Sequence, residues 1–583
     1  MKKWILTTAI GLITCCLSAQ TPYFVDGING DNANDGTSLA TAWKTIQKAA
    51  NSATPNSTIY IKGGTYSENI VVNVSGTAGN PITFRNYANE MVLIDGAATS
   101  GNTLLTITNK SYLNFRNLTI QNKTVNEAQG ILVETTGAAT ATDLSFTNIT
   151  IRNIRWNANA AAIPTDTDNA QAFIAYGRDG GITNLTIDSC QVFDNILGFS
   201  EAVSLDGNIS GFKVSNCEVH DNTNIGIALI GNYGTSTVPA TDHTRNGIVS
   251  GNTCYRNVSL YATSGGIYVD GGTTIVVERN RCYENGNGIE VGCEENGQSD
   301  HIIVRNNLLY NNENAGLYVG GYTTETTGQV VNCIFRNNTL FRNNSANDEV
   351  GEINLSKVSN SIFENNIIYT SEQKVFMSVD EIAPQTGNLF NYNLWYTPAG
   401  DAEDIAVFWG ATTYETFADY QAGTNQESGS LFANPQFQAA ALPNPDLFPN
   451  EASPAVNAGN PGTVIETGEM DYLGSLRIQE DRIDIGAFEW GILVSGISEK
   501  ESNALTCLVV PNPFSTQAKM RVNRPLTNAD VKICDLQGKV QQQIGHVSGS
   551  EIAIDRRQLP AGIYLFEISE AGQSLLVGKL VIQ

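Results

Sequence analysis

Gly265–Gly272 reads GGIYVDGG, Asn287–Glu294 reads NGIEVGCE and Ala315–Tyr322 reads AGLYVGGY. With Gly266, Gly288 and Gly316 in register, Ile267, Ile289 and Leu317 form one column and Val269, Val291 and Val319 a second. A fainter copy, IGIALIGN at Ile225–Asn232, adds Ile227 and Leu229 to these columns. Apolar residues two apart describe a strand with one face turned inward. Copies of that strand 22 to 40 residues apart describe a repeat in which each turn of chain covers its neighbour.

Outward from this stretch, a second set of columns is anchored on Asn122, Asn153, Asn195, Asn222, Asn257, Asn285, Asn312 and Asn343. Five residues before each anchor stand Asn117, Asn148, Cys190, Cys217, Asn252, Asn280, Asn307 and Asn338. Asparagines repeated at a corner can bond their own copies and the turn backbone, so these columns read as structural. Two before the anchor, bulky side chains recur (Ile120, Ile151, Phe193, His220, Tyr255, Tyr283, Tyr310, Phe341), which makes His220 a member of a packing ladder. The anchors lie 27 to 42 residues apart, so loops interrupt the coils.

Toward the N-terminus, a Gly/Asn/Asp loop precedes AWKTIQKA, whose apolar spacing predicts a helix over Trp43–Ala53, followed by strands in IYIKGGTYSE and ITFRNY…LIDG. This segment resembles the N-terminal cap of secreted right-handed parallel β-helix proteins, including family 9 pectate lyases. The resemblance implies an all-β fold: a right-handed parallel β-helix with an N-terminal helical cap. No counterpart of the Asp cluster and Lys of family 9 pectate lyases stands out. The repeat fades after about residue 370, where aromatics (Phe390, Tyr392, Trp395, Tyr396, Phe408, Trp409) either line a groove or cap the core.

The C-terminal part alternates apolar and polar residues over short strands, a β-sandwich pattern. Pro511-Asn512-Pro513, Gly562-Ile563-Tyr564 and Gly578-Lys579 closely resemble the type A sorting domain of type IX secretion. That resemblance implies handling by the type IX secretion machinery and a place on the cell surface or outside the cell. The expected organisation is a signal peptide at 1–20, cap and first coils at 21–100, β-helix with loop insertions at 101–430, a closing segment at 431–492 and the sorting domain at 493–583.

Composition agrees with export. Lys2 and Lys3 precede the apolar run Trp4–Leu17, and Ser18 and Ala19 suit cleavage. The 583 residues carry 33 basic and 58 acidic side chains, a net charge of −25, which argues against a nucleic-acid partner. Of ten cysteines, two lie in the signal; Cys190 aligns with Cys217 and Cys254 with Cys282, close enough across one coil step for disulfides or for stacked free thiols. A monomer is expected.

For chemistry, inward Ile267, Val269, Ile289 and Val291 put Tyr268, Asp270 and Glu290 on the opposite, outward face. One coil step of about 4.8 Å and two residues along the strand set the Asp270 and Glu290 Cα atoms roughly 8 Å apart. Carboxyls on that base reach the separations glycosidases use, about 5 Å for retention or roughly 6.5–9.5 Å for inversion. Glu294 stands at the strand end, and EAVSLDGN (Glu201–Asn208) puts Asp206 in the Asp270 column. Tyr268, Tyr318 and Tyr322 can stack on sugar rings. The loop Gly231–Gly247 adds Asp242, His243 and Arg245, with Arg245 a candidate lyase base.

These phrases also resemble those around the catalytic carboxylates of β-helical glycosidases, notably family 120 β-xylosidases. The resemblance implies Asp270 and Glu290 as the paired acids on a polysaccharide substrate. Clustered carboxylates also suit a calcium ion. A polysaccharide-cleaving hydrolase, a cation-dependent lyase and a non-catalytic glycan-binding β-helix are the three expectations.

Overall fold

The computed structural model describes residues 20–321, 328–380, 386–478 and 482–491, and 507–582 apart from 511, 513, 515, 536–538, 558 and 571–572. The chain divides into two compact units, Met1–Gly247 with Ser259–Ala262, and Ile248–Val258 with Thr263–Gln583. The expected signal peptide and the stretch around Glu499 lie outside the described residues. No helix among them is long and apolar enough to cross a membrane.

In the first unit, three rows of parallel strands climb in register. One runs Thr21–Val25, Ser57–Ile61, Ile82–Asn86, Leu113–Arg116 and Ala141–Thr147. A second runs Thr103–Thr108, Ala128–Glu134, Ala170–Asp188, Val203–Ser210 and Ile227–Ile230. The third runs Gly64–Tyr66, Val92–Asp95, Thr119–Thr124, Thr150–Arg155, Gln191–Phe193 and Glu218–His220. This is a parallel β-helix, its inward residues (Ile59, Leu144, Val133, Leu205) fully buried. The cap helix is shorter than its periodicity suggests, Ile46–Ser52. Thr45 starts it, accepting the Lys48 N–H, while Trp43 is extended, bridging Val25 and donating its indole N–H to the Asn34 carbonyl. His220 stacks on Phe193 with centroids 5.0 Å apart, a ladder member as its column indicates.

The second unit repeats the plan. The decisive phrases form one row, Gly265–Asp270, Asn287–Cys293 and Leu317–Gly321, extended by Ile353–Ser356, Val375–Val379 and Ala406–Trp409. Another row runs from Thr253–Tyr255 through Arg281–Tyr283, Leu308–Tyr310, Thr339–Phe341 and Ile367–Tyr369 to Leu394–Tyr396 and Leu431–Phe432. Coils therefore continue well past residue 370, where the sequence signal fades because the apolar columns are kept without the repeated glycines. Trp395, fully buried, packs on Phe376, Phe417 and Tyr420, and the late aromatics cap the core.

The Asn columns become hydrogen-bonded ladders. Asn252, Asn280, Asn307, Asn338, Asn366 and Asn393 each donate Nδ2 to the next Oδ1 at 2.9–3.1 Å, and the series ends on Glu427. Asn257, Asn285, Asn312 and Asn343 do the same and end on Glu352, 2.6 Å from the last amide. Cβ atoms added at Gly266, Gly288 and Gly316 would meet the Nδ2 atoms of Asn285, Asn312 and Asn343 at 3.0, 3.0 and 2.7 Å. The aligned glycines leave room for the amides. A ladder whose amides all donate one way needs an acceptor at its end, and a buried carboxyl supplies it.

Burial pushes Glu352 up to about 8 and Glu427 up to about 7, from an ordinary 4.5. A raised folded-state value means the folded chain holds protons that the unfolded chain has released, so this contribution is full below about pH 4.5 and fades as pH rises toward 8. Glu352→Gln and Glu427→Gln should therefore flatten the fall in thermal stability between about pH 5 and 8, measured by calorimetry. An unchanged slope in both variants would show that neither carboxyl titrates with folding.

The segment after residue 453 straps back over the coils. Arg305 meets Glu278 and Glu466 at 2.8 Å and Glu469 at 2.9 Å, while Arg336 forks onto both Glu469 oxygens at 2.7 Å. All eight cysteines of the described chain are free thiols, so the aligned pairs Cys190/Cys217 and Cys254/Cys282 are stacked thiols. At the C-terminus, five antiparallel strands between Cys507 and Ile582 enclose their own core of Met520, Val531, Ile533, Ile554, Phe566 and Leu580. The two longest, Gln517–Cys534 and Val540–Asp555, bend at successive register shifts, which lets one sheet fold around that core.

Candidate functional site

Register places the site residues of the second unit. Tyr268, Glu290, Tyr318, Asn354 and Ser378 are mutual neighbours in one column, and Asp270, Gly292, Gly320 and Ser356 in the next. All of these except Asp270 border a cleft of 510 Å³ that also takes in Glu294 and Asp380. The face is not open as alternation alone suggests: Tyr268, Asp270 and Glu290 are 7%, 3% and 7% exposed.

Two small residues shape the floor. A Cβ on Gly265 would stand 2.7 Å from Glu290 Oε1, and one on Gly292 2.9 Å from the Tyr268 hydroxyl. Glycine thus gives the Glu290 carboxyl and the tyrosine ring their places. Asn287 donates Nδ2 to Glu290 Oε1 at 2.9 Å. The Tyr268 hydroxyl crosses Gly292 to donate to Glu294 Oε1 at 3.2 Å. Burial, with the charge of Glu294 adding and the Asn287 amide opposing, pushes the Glu290 carboxyl up to about 7.

Asp270 has a different place from the one the paired-acid reading gives it. It is not among the residues bordering the cleft; its Oδ1 accepts the Glu294 backbone N–H at 2.9 Å. The carboxylate two positions along from Glu290's neighbour therefore holds the turn that carries Glu294. The acids that share the cleft are Glu290 and Glu294, with Asp380 three coil steps, about 14 Å, further along. Asn354, Ser356, Ser378 and Asp380 escape the sequence reading because their coils keep the apolar alternation but lose the glycine phrases. Tyr318 borders the cleft, and Tyr322 lies outside the described residues.

The remaining candidates gather in the first unit. Asp206 pairs with Tyr176 in register. Burial, with Asp242's charge adding and Thr235 and Arg178 opposing, pushes Asp206 up to about 6. Asp242 accepts the Gly234 and Ser236 N–H groups at 2.6 and 2.7 Å, organising its loop. Arg245 bonds Asn208 Oδ1 and the carbonyls of Thr241 and His243, a brace rather than an exposed base. Half-buried His243 is held below its usual value, by burial first and Arg245 next. Among the described residues, no group of three or more His, Cys, Asp or Glu is arranged to hold a metal ion, so the calcium reading finds no such ligand set.

If Glu290 works where Gly265 leaves it room, Gly265→Ala should lower turnover on the order of 10- to 10²-fold while leaving the melting temperature nearly unchanged. A loss of stability matching the loss of activity would show Gly265 to be only a packing residue.

Residues 100–340 match a right-handed β-helix region, and residues 508–583 match a secretion-system C-terminal sorting domain. The protein YwoF of Bacillus subtilis (strain 168) is 32% identical over 484 residues, which is 78% of this chain and 99% of that protein. The chain belongs to the YwoF family. This YwoF relative carries a sorting domain that marks it for export by type IX secretion, to the cell surface or the surroundings. The pectate lyase PEL9 of Emericella nidulans is 40% identical over 77 residues, 13% of this chain and 19% of that enzyme. Among solved structures, pectate lyase Pel9A is similar with a TM-score of 0.40 at 15% identity, over 81% of this chain and 97% of that one.

Proposed function

We propose that this chain is a secreted glycoside hydrolase that cleaves a neutral glycan in the Glu290–Glu294 cleft. One observation carries the reading: two carboxyls share a cleft with two tyrosines, and the buried one is raised to about 7. Glu290, which keeps its proton up to about pH 7, is the general acid that gives that proton to the leaving oxygen. Glu294, held by Tyr268 and by Asp270 through its backbone, is the base or nucleophile. Tyr318 and Tyr268 offer ring faces for the sugar.

Substrate charge follows from the lining. Glu290, Glu294 and Asp380 border the cleft, and among the described residues no Lys, Arg or His does. A uronate chain would meet like charge there, whereas a neutral sugar meets hydrogen-bond acceptors and rings. The 77-residue likeness to a fungal pectate lyase favours a second reading, lyase chemistry. A panel of neutral and acidic polysaccharides, with and without chelator, separates the readings. New reducing ends without ultraviolet absorbance support the hydrolase. Unsaturated, absorbing products that vanish with chelator would replace it with a lyase. Retention of a glycan without cleavage would make the cleft a binding site.

A further inference from the structure

A second cavity, of 270 Å³, opens in the first unit on the row that runs Ser57–Ile61, Ile82–Asn86 and Leu113–Arg116. Tyr60, Arg85 and Arg116 are register partners on successive coils, and Thr58, Thr83 and Asn114 stand two residues back in the next column. All six border the cavity, while Ile59, Phe84 and Phe115 between them are buried in the core. The two arginines therefore leave the same face of the sheet one coil step, about 4.8 Å, apart and meet the same space.

Like charges directly opposite each other on neighbouring strands repel. Neither guanidinium forms an ion pair or a side-chain hydrogen bond among the described residues, and the buried Nε–H of Arg85 has no acceptor. The second unit shows what such a pair holds. Arg305 and Arg336 are also register partners, and one carboxylate, Glu469, bonds Arg305 at 2.9 Å and Arg336 at 2.7 Å. Arg85 and Arg116 repeat that arrangement, bordering a cavity in place of a carboxylate of the chain. An oxyanion from outside offsets the repulsion and gives the Arg85 N–H its acceptor, and arginine's planar fork suits a carboxylate or a sulfate. A cavity of about 150 Å³ takes benzene, so this one has room for a pyranose ring with its substituents. The half-buried Tyr60 ring, stacked on Phe24 with centroids 5.6 Å apart, is a fixed platform for the face of such a ring.

The geometry points to a binding site for one acidic sugar unit, at which Arg85 and Arg116 together hold a carboxylate or a sulfate and Tyr60 stacks on the ring. Thr58, Thr83 and Asn114 offer hydroxyl and amide groups to the sugar's own hydroxyls. The site shares no residue with the Glu290–Glu294 cleft and stands whether or not that cleft is a hydrolase.

The test is titration calorimetry of the mature chain with glucuronate, glucose 6-sulfate, glucose and inorganic sulfate. The two charged sugars identify which oxyanion is preferred, glucose is the neutral control and inorganic sulfate the free anion. At least one charged sugar should bind on the order of 10-fold tighter than glucose and inorganic sulfate, and added salt should weaken it. Arg85→Gln and Arg116→Gln should each weaken that binding on the order of 10-fold, and Arg116→Lys, which keeps the charge and loses the fork, should weaken it too. Tyr60→Leu should weaken the sugar and leave inorganic sulfate unchanged. If Arg85→Gln fails to fold, the changes at exposed Arg116 decide alone. No binding of either charged sugar, or equal binding in Arg116→Gln and the parent, overturns the site. Inorganic sulfate binding as tightly as the charged sugars, or sugar binding unchanged in Tyr60→Leu, overturns the sugar assignment.

Discussion

Glu290→Gln should reduce kcat by roughly 10²–10⁴-fold, the range of a lost general acid. Glu294→Gln should fall as far if it is the base or nucleophile. Asp270→Asn should cost less, because its Oδ1 holds Glu294 by the backbone N–H and Asp270 does not border the cleft. The pH profile separates these roles. A general acid must keep its proton, and Glu290 sits at about 7, so kcat/KM should fall as pH rises through about 7. Glu290→Gln should lose that limb. Glu294→Gln should keep a limb but move it to lower pH, because its charge is one of the influences raising Glu290. Full activity in Glu290→Gln would remove the cleft chemistry proposed here, whatever the polysaccharide.

The second large effect is on stability. Glu469 has a fully buried side chain between Arg305 and Arg336, which are 6% and 5% exposed. Burial would raise its carboxyl, but the hydrogen bonds and charge of Arg336, with that of Arg305, hold it below its usual value. Glu469→Gln takes from buried Arg336 the carboxylate it forks onto and leaves Arg305 with Glu278 and Glu466, and breaking such a buried pair costs about 3–5 kcal/mol. Denaturant unfolding should show it as a lower midpoint. Because the folded-state value is depressed, the stabilisation is present above the unfolded value near 4.5 and is lost as pH falls through the folded one, opposite in sign to Glu352 and Glu427. The exposed pair Lys519–Glu551, with side chains 61% and 50% exposed, serves as the control; Glu551→Gln should change stability by less than about 1 kcal/mol. Equal effects at Glu469 and Glu551 would mean the strap adds nothing to the coils it crosses.

The ladders show how much a stacked repeat reveals of itself. Every coil places a given position in the same surroundings one strand spacing from its copy, so Ile267, Ile289 and Leu317, or Asn252, Asn280 and Asn307, announce the register as columns. The columns were legible even where no contact was known, including the pairing of Tyr268 with Glu290 and the ladder role of His220. The sorting-domain motifs were equally legible, because turns need particular residues at particular places.

What lies between the columns was not. Alternation says that Asp270 and Glu290 face the same way, but only the path of the turn after Cys293 decides that Asp270 bonds the Glu294 backbone and that Glu294 joins Glu290. Alternation also makes that face look open, whereas its side chains are nearly covered. The straps of Glu466 and Glu469 onto Arg305 and Arg336 join residues more than 130 positions apart. By itself the sequence determined the repeating fold, its register and its export, since these follow from local periodicity summed over many coils. Only the tertiary structure decided which acids share a cleft and which are braces, because burial and charge depend on loop paths that no period encodes.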